Sequence, residues 1–197
     1  MLEVNKIVEL VESFSVTTDR LVIERFTKDD IEEEFAQDTN PNVVRYIKDV
    51  LPHEAALKRA QSIAEPWEGA DQEWAGFTLK LKGSDKMLGA LSFRFHSLQD
   101  ETVEIGYRLA EIHQGKGYVT EAAKALLEFL FNRLEVHKVV AYCVEQNPAS
   151  WNVMEKLGMK REGCLREYSQ LNGIWFDELV YGLLEKDLRR KLTIKLI

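Results

Sequence analysis

The sequence predicts an α/β fold, a mixed sheet flanked by helices, and three observations predict it. Strand-like runs rich in β-branched and aromatic residues recur between turn signals. Two of these runs each lead into a helix that carries apolar residues at three- and four-residue steps. A content of 45% hydrophobic residues in a chain of 197 fits one domain with a substantial core. No repeat, low-complexity stretch or Pro/Gly-rich linker divides the chain.

The elements follow in order. Met1 to Ser15 places Val4, Ile7, Val8 and Val11 at helical spacing, but has too few basic and too many acidic residues for a signal peptide. It is expected as an N-terminal extension, 1–15, ahead of a domain over 16–190 and a tail over 191–197. Leu21 to Arg25 reads as a strand. A helix starts at Thr27, where Asp30 completes a capping pattern, and helical segments run through Ile63. Strand Trp74 to Lys82 is joined by the turn Gly83-Ser84-Asp85 to strand Lys86 to His96. Strand Thr102 to Leu109 follows, with Ile105, Tyr107 and Leu109 alternating onto one face. After a Gly-rich stretch, Ala122, Ala123, Leu126, Leu127, Leu130, Phe131 and Leu134 form the stripe of a helix with one buried face. Strand Lys138 to Val144, a helix opening at Asn147, and a final pair of strands around Asn172-Gly173 complete the series.

The Gly-rich stretch Gln114-Gly115-Lys116-Gly117-Tyr118-Val119-Thr120-Glu121 stands between a strand and a helix. Unpaired amides and the positive end of the helix dipole converge there, which suits a phosphate. A Walker loop needs four residues between its first Gly and a Gly-Lys-Ser/Thr, and a dinucleotide fingerprint needs a third Gly three residues after the second. Neither is present, so nucleoside triphosphate and NAD readings weaken. By itself the Gly-x-Gly is equally a tight strand-to-helix turn.

A second helix start separates these readings. Asn147-Pro148-Ala149-Ser150-Trp151-Asn152 places Asn147 as N-cap and Pro148 at the first helical position, and Gly158 stops the helix. Two consecutive strands are thus each followed by a helix start suited to a phosphate or cofactor.

The remaining composition narrows the function class. With 26 basic and 33 acidic residues the net charge is −7, which argues against a nucleic-acid surface and is compatible with a cationic substrate. No run approaches a membrane span. Cys143 and Cys164 are too few for a disulfide framework and are expected as inert core thiols in a reducing cytosol. His53, His96, His113 and His137 show no metal or triad spacing, so no metal is expected.

Taken together, the ordered motifs EIGYRL, QGKGYVTEA, NPAS, EKLGM, EGCLRE and LNG resemble the GNAT superfamily of N-acetyltransferases, whose pyrophosphate loop reads Q/R-x-x-G-x-G/A. The branch most similar is that of the ribosomal-protein N-terminal acetyltransferases of the RimJ/RimL type. The resemblance runs from Thr18 to about Leu188, and Val119 departs from the loop's last position. It implies a mostly antiparallel sheet that splays between the strand carrying Tyr107 and the one carrying Val144, with acyl-coenzyme A in the gap. It also implies a cytoplasmic enzyme; a homodimer is common in that branch.

Acetyl transfer from a thioester needs a neutral amine, a donor to the oxyanion and a proton for the thiolate. The resemblance implies that backbone amides near Tyr107, Arg108 and Leu109 polarise the carbonyl. Amides of Gln114, Gly115, Lys116, Gly117, Tyr118, Val119 and Thr120 would hold the pyrophosphate, Asn147 would bond the pantetheine arm, and Asn152 on the same helix would also bind the cofactor. Ser150 matches the position proposed to protonate the thiolate. The branch places a carboxylate where this chain has Ser169, so the base is expected to be Glu104, acting through water, or Glu167, two residues from Ser169 on the same strand face. Trp67, Trp74, Trp151 and Trp175 are candidates for an acceptor groove. The acceptor is read as a protein N-terminal amine or a small amine such as a polyamine or aminoglycoside. A non-catalytic acyl-coenzyme A sensor that has lost its base is the competing class.

Overall fold

The computed structural model describes residues 3–188, so the expected tail over 191–197 and the last two residues of the expected domain lie outside the described residues. An eight-stranded sheet runs in the order β1 (Ser15–Thr17), β2 (Leu21–Arg25), β3 (Ala75–Leu81), β4 (Met87–Ser97), β5 (Thr102–Leu109), β6 (Lys138–Val144), β8 (Ile174–Leu184) and β7 (Lys160–Leu171). Every neighbouring pair is antiparallel except β5–β6, which is parallel. A parallel pair needs a crossover, and the helix α5 (Tyr118–Asn132) supplies it.

Strand and helix positions agree with the periodicity to within a residue or so, because the apolar alternation and turn residues are local signals. Asn172 and Gly173 both have positive φ, 49° and 77°, as a two-residue turn matching the twist of β7 and β8 requires. Thr27 and Asp30 form the expected capping box, but it opens a single 3-10 turn, Lys28–Asp30, which leads into α2 (Ile31–Asp38). Two further helices, α3 (Pro41–Val44) and α4 (His53–Ile63), complete the region before β3.

Residues Ile105, Leu109, Phe77 and Phe93 of the sheet pack with α5 residues Leu126, Leu127 and Leu130 in one large core. The helix α1 (Val4–Glu12) lies on this same face: Ile7, Val11 and Phe14 are buried in that core, and the Phe14 ring sits 4.5 Å from Phe129. The N-terminal stretch is thus packed into the domain, and β1 extends its sheet. Each fully buried large side chain contributes on the order of 1.5–3 kcal/mol. The opposite face carries Phe26, Met87 and Ala90 with Ile63 of α4.

The functional consequence lies between β5 and β6. Their pairing covers Thr102, Val103 and Glu104 against Lys138, Val139 and Val140, then stops. β5 continues against β4 to Leu109, and β6 continues against β8 to Val144. The sheet therefore opens into a gap flanked by intact ladders.

Candidate active site

A cleft of about 1380 Å³ follows this gap, from α3 and α4 on one side to α5 and α6 (Pro148–Leu157) on the other. It brings together Glu104, Tyr107, Arg108, Leu109, Gln114, Gly115, Gly117, Tyr118, Val119, Thr120, Asn147, Ser150 and Asn152. Lys116 and Glu167 do not line it. The Lys116 carbonyl instead accepts from Arg20 Nη1 at 2.9 Å.

The Gly-rich loop is built to leave amides unspent. Gly115 and Gly117 have φ of 73° and 81°, a region that disfavours other residues, and a Cβ on Gly115 would meet no atom within 4 Å. The first bond of α5 runs from Glu121 N–H to the Gly117 carbonyl at 3.1 Å. Among the described residues, none accepts from the amides of Gly115 through Thr120. Val119, the irregular position of the motif, keeps its amide in this free set. Gln114 works differently: its N–H donates to the Glu111 carbonyl and its side-chain Nε2 to the Leu109 carbonyl at 3.0 Å.

The loop is pinned from outside by residues its own sequence does not reveal. Arg20 Nε meets Glu121 Oε2 at 2.7 Å, and its guanidinium lies 4.6 Å from the Tyr118 ring centre. Thr18 Oγ1 donates to Glu121 Oε1 at 2.6 Å. Burial works to raise the Glu121 carboxyl, but these bonds outweigh it and hold the group below its ordinary range.

On β5, register decides which amides face the gap. Ala110 N–H donates to the Leu88 carbonyl on β4, and amide direction alternates along a strand. The Arg108 amide therefore also faces β4, whereas those of Tyr107 and Leu109 face the gap. Arg108 is a correction to the expected carbonyl-polarising set, because its side chain is committed as well. It pairs with Glu34 and, at 3.6 Å, with Asp38, both fully buried on α2. Arg59 and Lys48 join them, at 2.9 Å from Glu34 and 2.8 Å from Asp38 respectively. Burial raises the Asp38 carboxyl, yet Arg108, Lys48 and Arg59 bring it below its ordinary value. Burial, the dominant influence on Lys48, pushes that ammonium down.

Chemistry divides between the two faces of the sheet. Toward α6, Tyr107 Oη lies 3.1 Å from Ser150 Oγ and 3.0 Å from the Ser150 carbonyl. The Ser150 amide is capped by Asn147 Oδ1 at 3.2 Å. Burial pushes the Tyr107 phenol far above its ordinary value, so it stays protonated. Cys143, on the same face of β6, has its thiol pushed up to about 11 by burial. Asn152 Nδ2 is held by the Pro148 carbonyl at 2.7 Å.

Toward α2–α4, Glu104 Oε2 accepts from Arg94 Nε and Nη2 at 2.9 and 2.8 Å and meets His96 Nε2 at 2.8 Å. Tyr142 stacks on His96, with ring centres 5.9 Å apart. Arg94 in turn lies over Trp74, the tryptophan that lines the cleft. Trp67 is a core residue at 2% exposure, Trp151 packs against the core, and Trp175 is exposed.

Glu167 is a second correction. The β7–β8 register shifts between Leu165 and Ser169, so two-residue alternation fails between 167 and 169. Glu167 has φ of 46°, is exposed, and donates its amide to Asp177 Oδ1 at 2.8 Å. Such a bulge re-aims side chains and is not visible in local periodicity. Cys164 is a third: it is exposed on β7, not a core thiol. Glu178, which no local motif singles out, lines the cleft and accepts from the Ser169 hydroxyl. Its signal is tertiary, since it arises from strand pairing.

Among the described residues no His, Cys, Asp and Glu group is arranged to hold a metal ion, and no helix is long and apolar enough to cross a membrane.

Known proteins agree with this architecture. Residues 20–160 match the model of the acetyltransferase (GNAT) domain. The chain is 31% identical over 172 residues to the uncharacterized N-acetyltransferase YnaD of Bacillus subtilis, covering 87% of this chain and 98% of that one. It is 35% identical over 98 residues to the ribosomal-protein-serine acetyltransferase of Escherichia coli, half of this chain and 55% of the relative. A solved GNAT-family acetyltransferase from Bacillus anthracis superposes with a TM-score of 0.76 at 29% identity, covering 88% of this chain and 99% of that one. The match of residues 20–160 to the domain model, with a 31%-identical N-acetyltransferase matched over 98% of its length, makes this chain a member of the GNAT acetyltransferase family and an enzyme of acetyl transfer.

Proposed function

We propose that the enzyme moves the acetyl group of acetyl-coenzyme A to a primary amine, and that this amine is the α-amine of a protein N-terminus in the cytoplasm. Attack is direct, in a ternary complex. The observation that carries the reading is the split of chemistry across the gap: a hydroxyl pair, Ser150 and Tyr107, on one face and carboxylates on the other. Direct transfer uses both, because the attacking nitrogen must give up protons to a base while the departing sulfur takes one from an acid.

Acetyl-coenzyme A fits the residues present. The free amides from Gly115 to Thr120 supply donors for a pyrophosphate, and the open space over Gly115 lets it approach the backbone. Charge-assisted bonds of this kind contribute roughly 1.5–3 kcal/mol each. Gap-facing amides of Tyr107 and Leu109 would donate to the carbonyl oxygen as charge builds on it. Ser150, kept in place by Asn147 and Tyr107, would give its proton to the departing sulfur. The amine would shed its proton to a carboxylate on the far face, where Glu104 lines the cleft.

The choice of a protein N-terminus draws on the relative whose name makes it an acetyltransferase of a ribosomal-protein serine. Thiol release from acetyl-coenzyme A with panels of N-terminal peptides, polyamines and aminoglycosides tests it. Peptides are expected to raise the rate above hydrolysis; a response confined to polyamines or aminoglycosides replaces the acceptor, and none from any panel removes the transfer reading.

A further inference from the structure

The carboxylates lining the cleft are not equivalent. Glu34 is buried and ion-paired with Arg59 and Arg108. Glu104 spends Oε2 on three N–H contacts from Arg94 and His96. Glu111, in the turn that follows β5, accepts from Asn42 Nδ2 at 3.2 Å. Glu178 has no cation partner among the described residues, and a neutral hydroxyl, that of Ser169, holds it.

Strand geometry sets Glu178 on the acceptor face. Leu179, Tyr181 and Leu183 of β8 belong to the core under α5, so Glu178 points to the other side, toward α2–α4. Val144 is its partner across the β6–β8 ladder, and Tyr142, two residues along, is on that same face. The Tyr142 phenol is raised first by burial and then by the charges of Glu104, Tyr168 and Glu178, so these groups surround one spot. Exposed Tyr168 lines the cleft beside them. Arg94 is the cation that acts on this spot and Glu104 holds it, so a cationic amine entering the gap meets in Glu178 the carboxylate that no cation pairs among the described residues.

We propose that Glu178, positioned by Ser169, binds the acceptor ammonium and is the base that deprotonates it; this rests on the acetyl-transfer reading above. The ammonium loses one proton to the Glu178 carboxylate. The neutral nitrogen forms a bond to the acetyl carbon and the carbon–sulfur bond breaks. A second nitrogen proton is released as the amide forms; Ser150 hands its own hydroxyl proton to the thiolate and is restored by the one released. Glu178 returns its proton to water. The sum is ammonium plus thioester giving amide, thiol and one proton. Glu104 then acts as a positioning residue that fixes Arg94, His96 and the stacked Tyr142.

The test compares wild type, Glu178→Gln and Ser169→Ala, with the acceptor that gives the wild type its highest rate. Glu178→Gln is expected to lower kcat/KM about 10²-fold or more and to flatten the acid limb of the pH–rate profile, with coenzyme A affinity unchanged. Ser169→Ala is expected to shift that limb while keeping it. If Glu178→Gln fails to fold, as judged by coenzyme A binding and melting, Glu178→Asp serves instead; it is expected to lose rate and keep the limb. A variant at 178 that matches an active wild type in rate and profile overturns the assignment of Glu178 alone. A wild type that binds coenzyme A yet never exceeds hydrolysis with any acceptor overturns the transfer reading, and the base with it.

Discussion

Tyr107 and Ser150 meet across the opening between β5 and β6, with Tyr107 Oη at 3.1 Å from the serine hydroxyl and 3.0 Å from its carbonyl. This contact closes the α6 side of the gap where β-sheet pairing ends. Ser150→Ala should lower kcat roughly 10²-fold, the order expected for a lost proton donor, and leave KM for acetyl-coenzyme A nearly unchanged. Tyr107→Phe should cost about 1 kcal/mol of stability, since it removes the phenol's hydrogen bonds to part-buried Ser150. Steady-state kinetics and denaturant melts check the two separately.

Arg20 and Glu121 brace the phosphate-type loop without lining it. Arg20→Ala should raise KM for acetyl-coenzyme A about tenfold or more and change kcat little, because the loop loses its hold on the Lys116 carbonyl. The Glu121 carboxyl titrates below its ordinary value of 4.5 in the folded chain. A depressed carboxyl stabilises the fold fully above that value and loses its contribution as pH falls through the folded one. Coenzyme A affinity measured from neutral pH to below 4.5 should therefore fall in the acid range, and Glu121→Gln should flatten that fall while weakening binding at neutral pH.

Asp38 is fully buried among Arg108, Lys48 and Arg59. Removing one member of a buried ionic cluster leaves charge uncompensated, which costs roughly 3–5 kcal/mol. Asp38→Asn should destabilise the chain by about that amount in denaturant melts, far beyond the effect of Lys6→Ala, whose ion pair with Glu9 is exposed on α1.

The two thiols should react at different rates. Cys143 is buried and its thiol lies near 11, so the thiolate is scarce at neutral pH, whereas Cys164 is exposed on β7. Iodoacetamide at pH 8 followed by peptide mass spectrometry should show label on Cys164 well before Cys143. Equal labelling would mean that the β6 side of the cleft opens.

Gly89 stands opposite Leu109 on the β4 side of the gap strand. A methyl at this position would run into the Arg108 carbonyl oxygen and Leu109 Cα, backbone atoms that cannot swing aside. Gly89→Ala should lower stability by about 1–3 kcal/mol and raise KM for acetyl-coenzyme A, as thermal melts and kinetics would show.

Local signals carried much of this. The alternation of Ile105, Tyr107 and Leu109, the stripe from Ala122 to Leu134, the Asn147 cap and the Asn172-Gly173 turn each depend on a few neighbouring residues, so the sequence by itself determined the strands from β2 onward, their order along the chain and the loop at the head of α5, though not β1. Those are short-range energies: side-chain direction, orphan amides and positive φ.

Tertiary structure decided what those elements present to one another. The bulge in β7 turned Glu167 away, pairing across β8 brought Glu178 to Ser169, and α2 claimed the Arg108 side chain. Arg20 reached the loop from 96 residues away. None of these is legible in periodicity, because register and ion pairing between distant segments are fixed only when the sheet closes and charges leave water. The sequence by itself thus determined that a glycine turn and a capped serine each stand where a strand gives way to a helix, and only the folded sheet decided that both line one gap and which carboxylates line its other side.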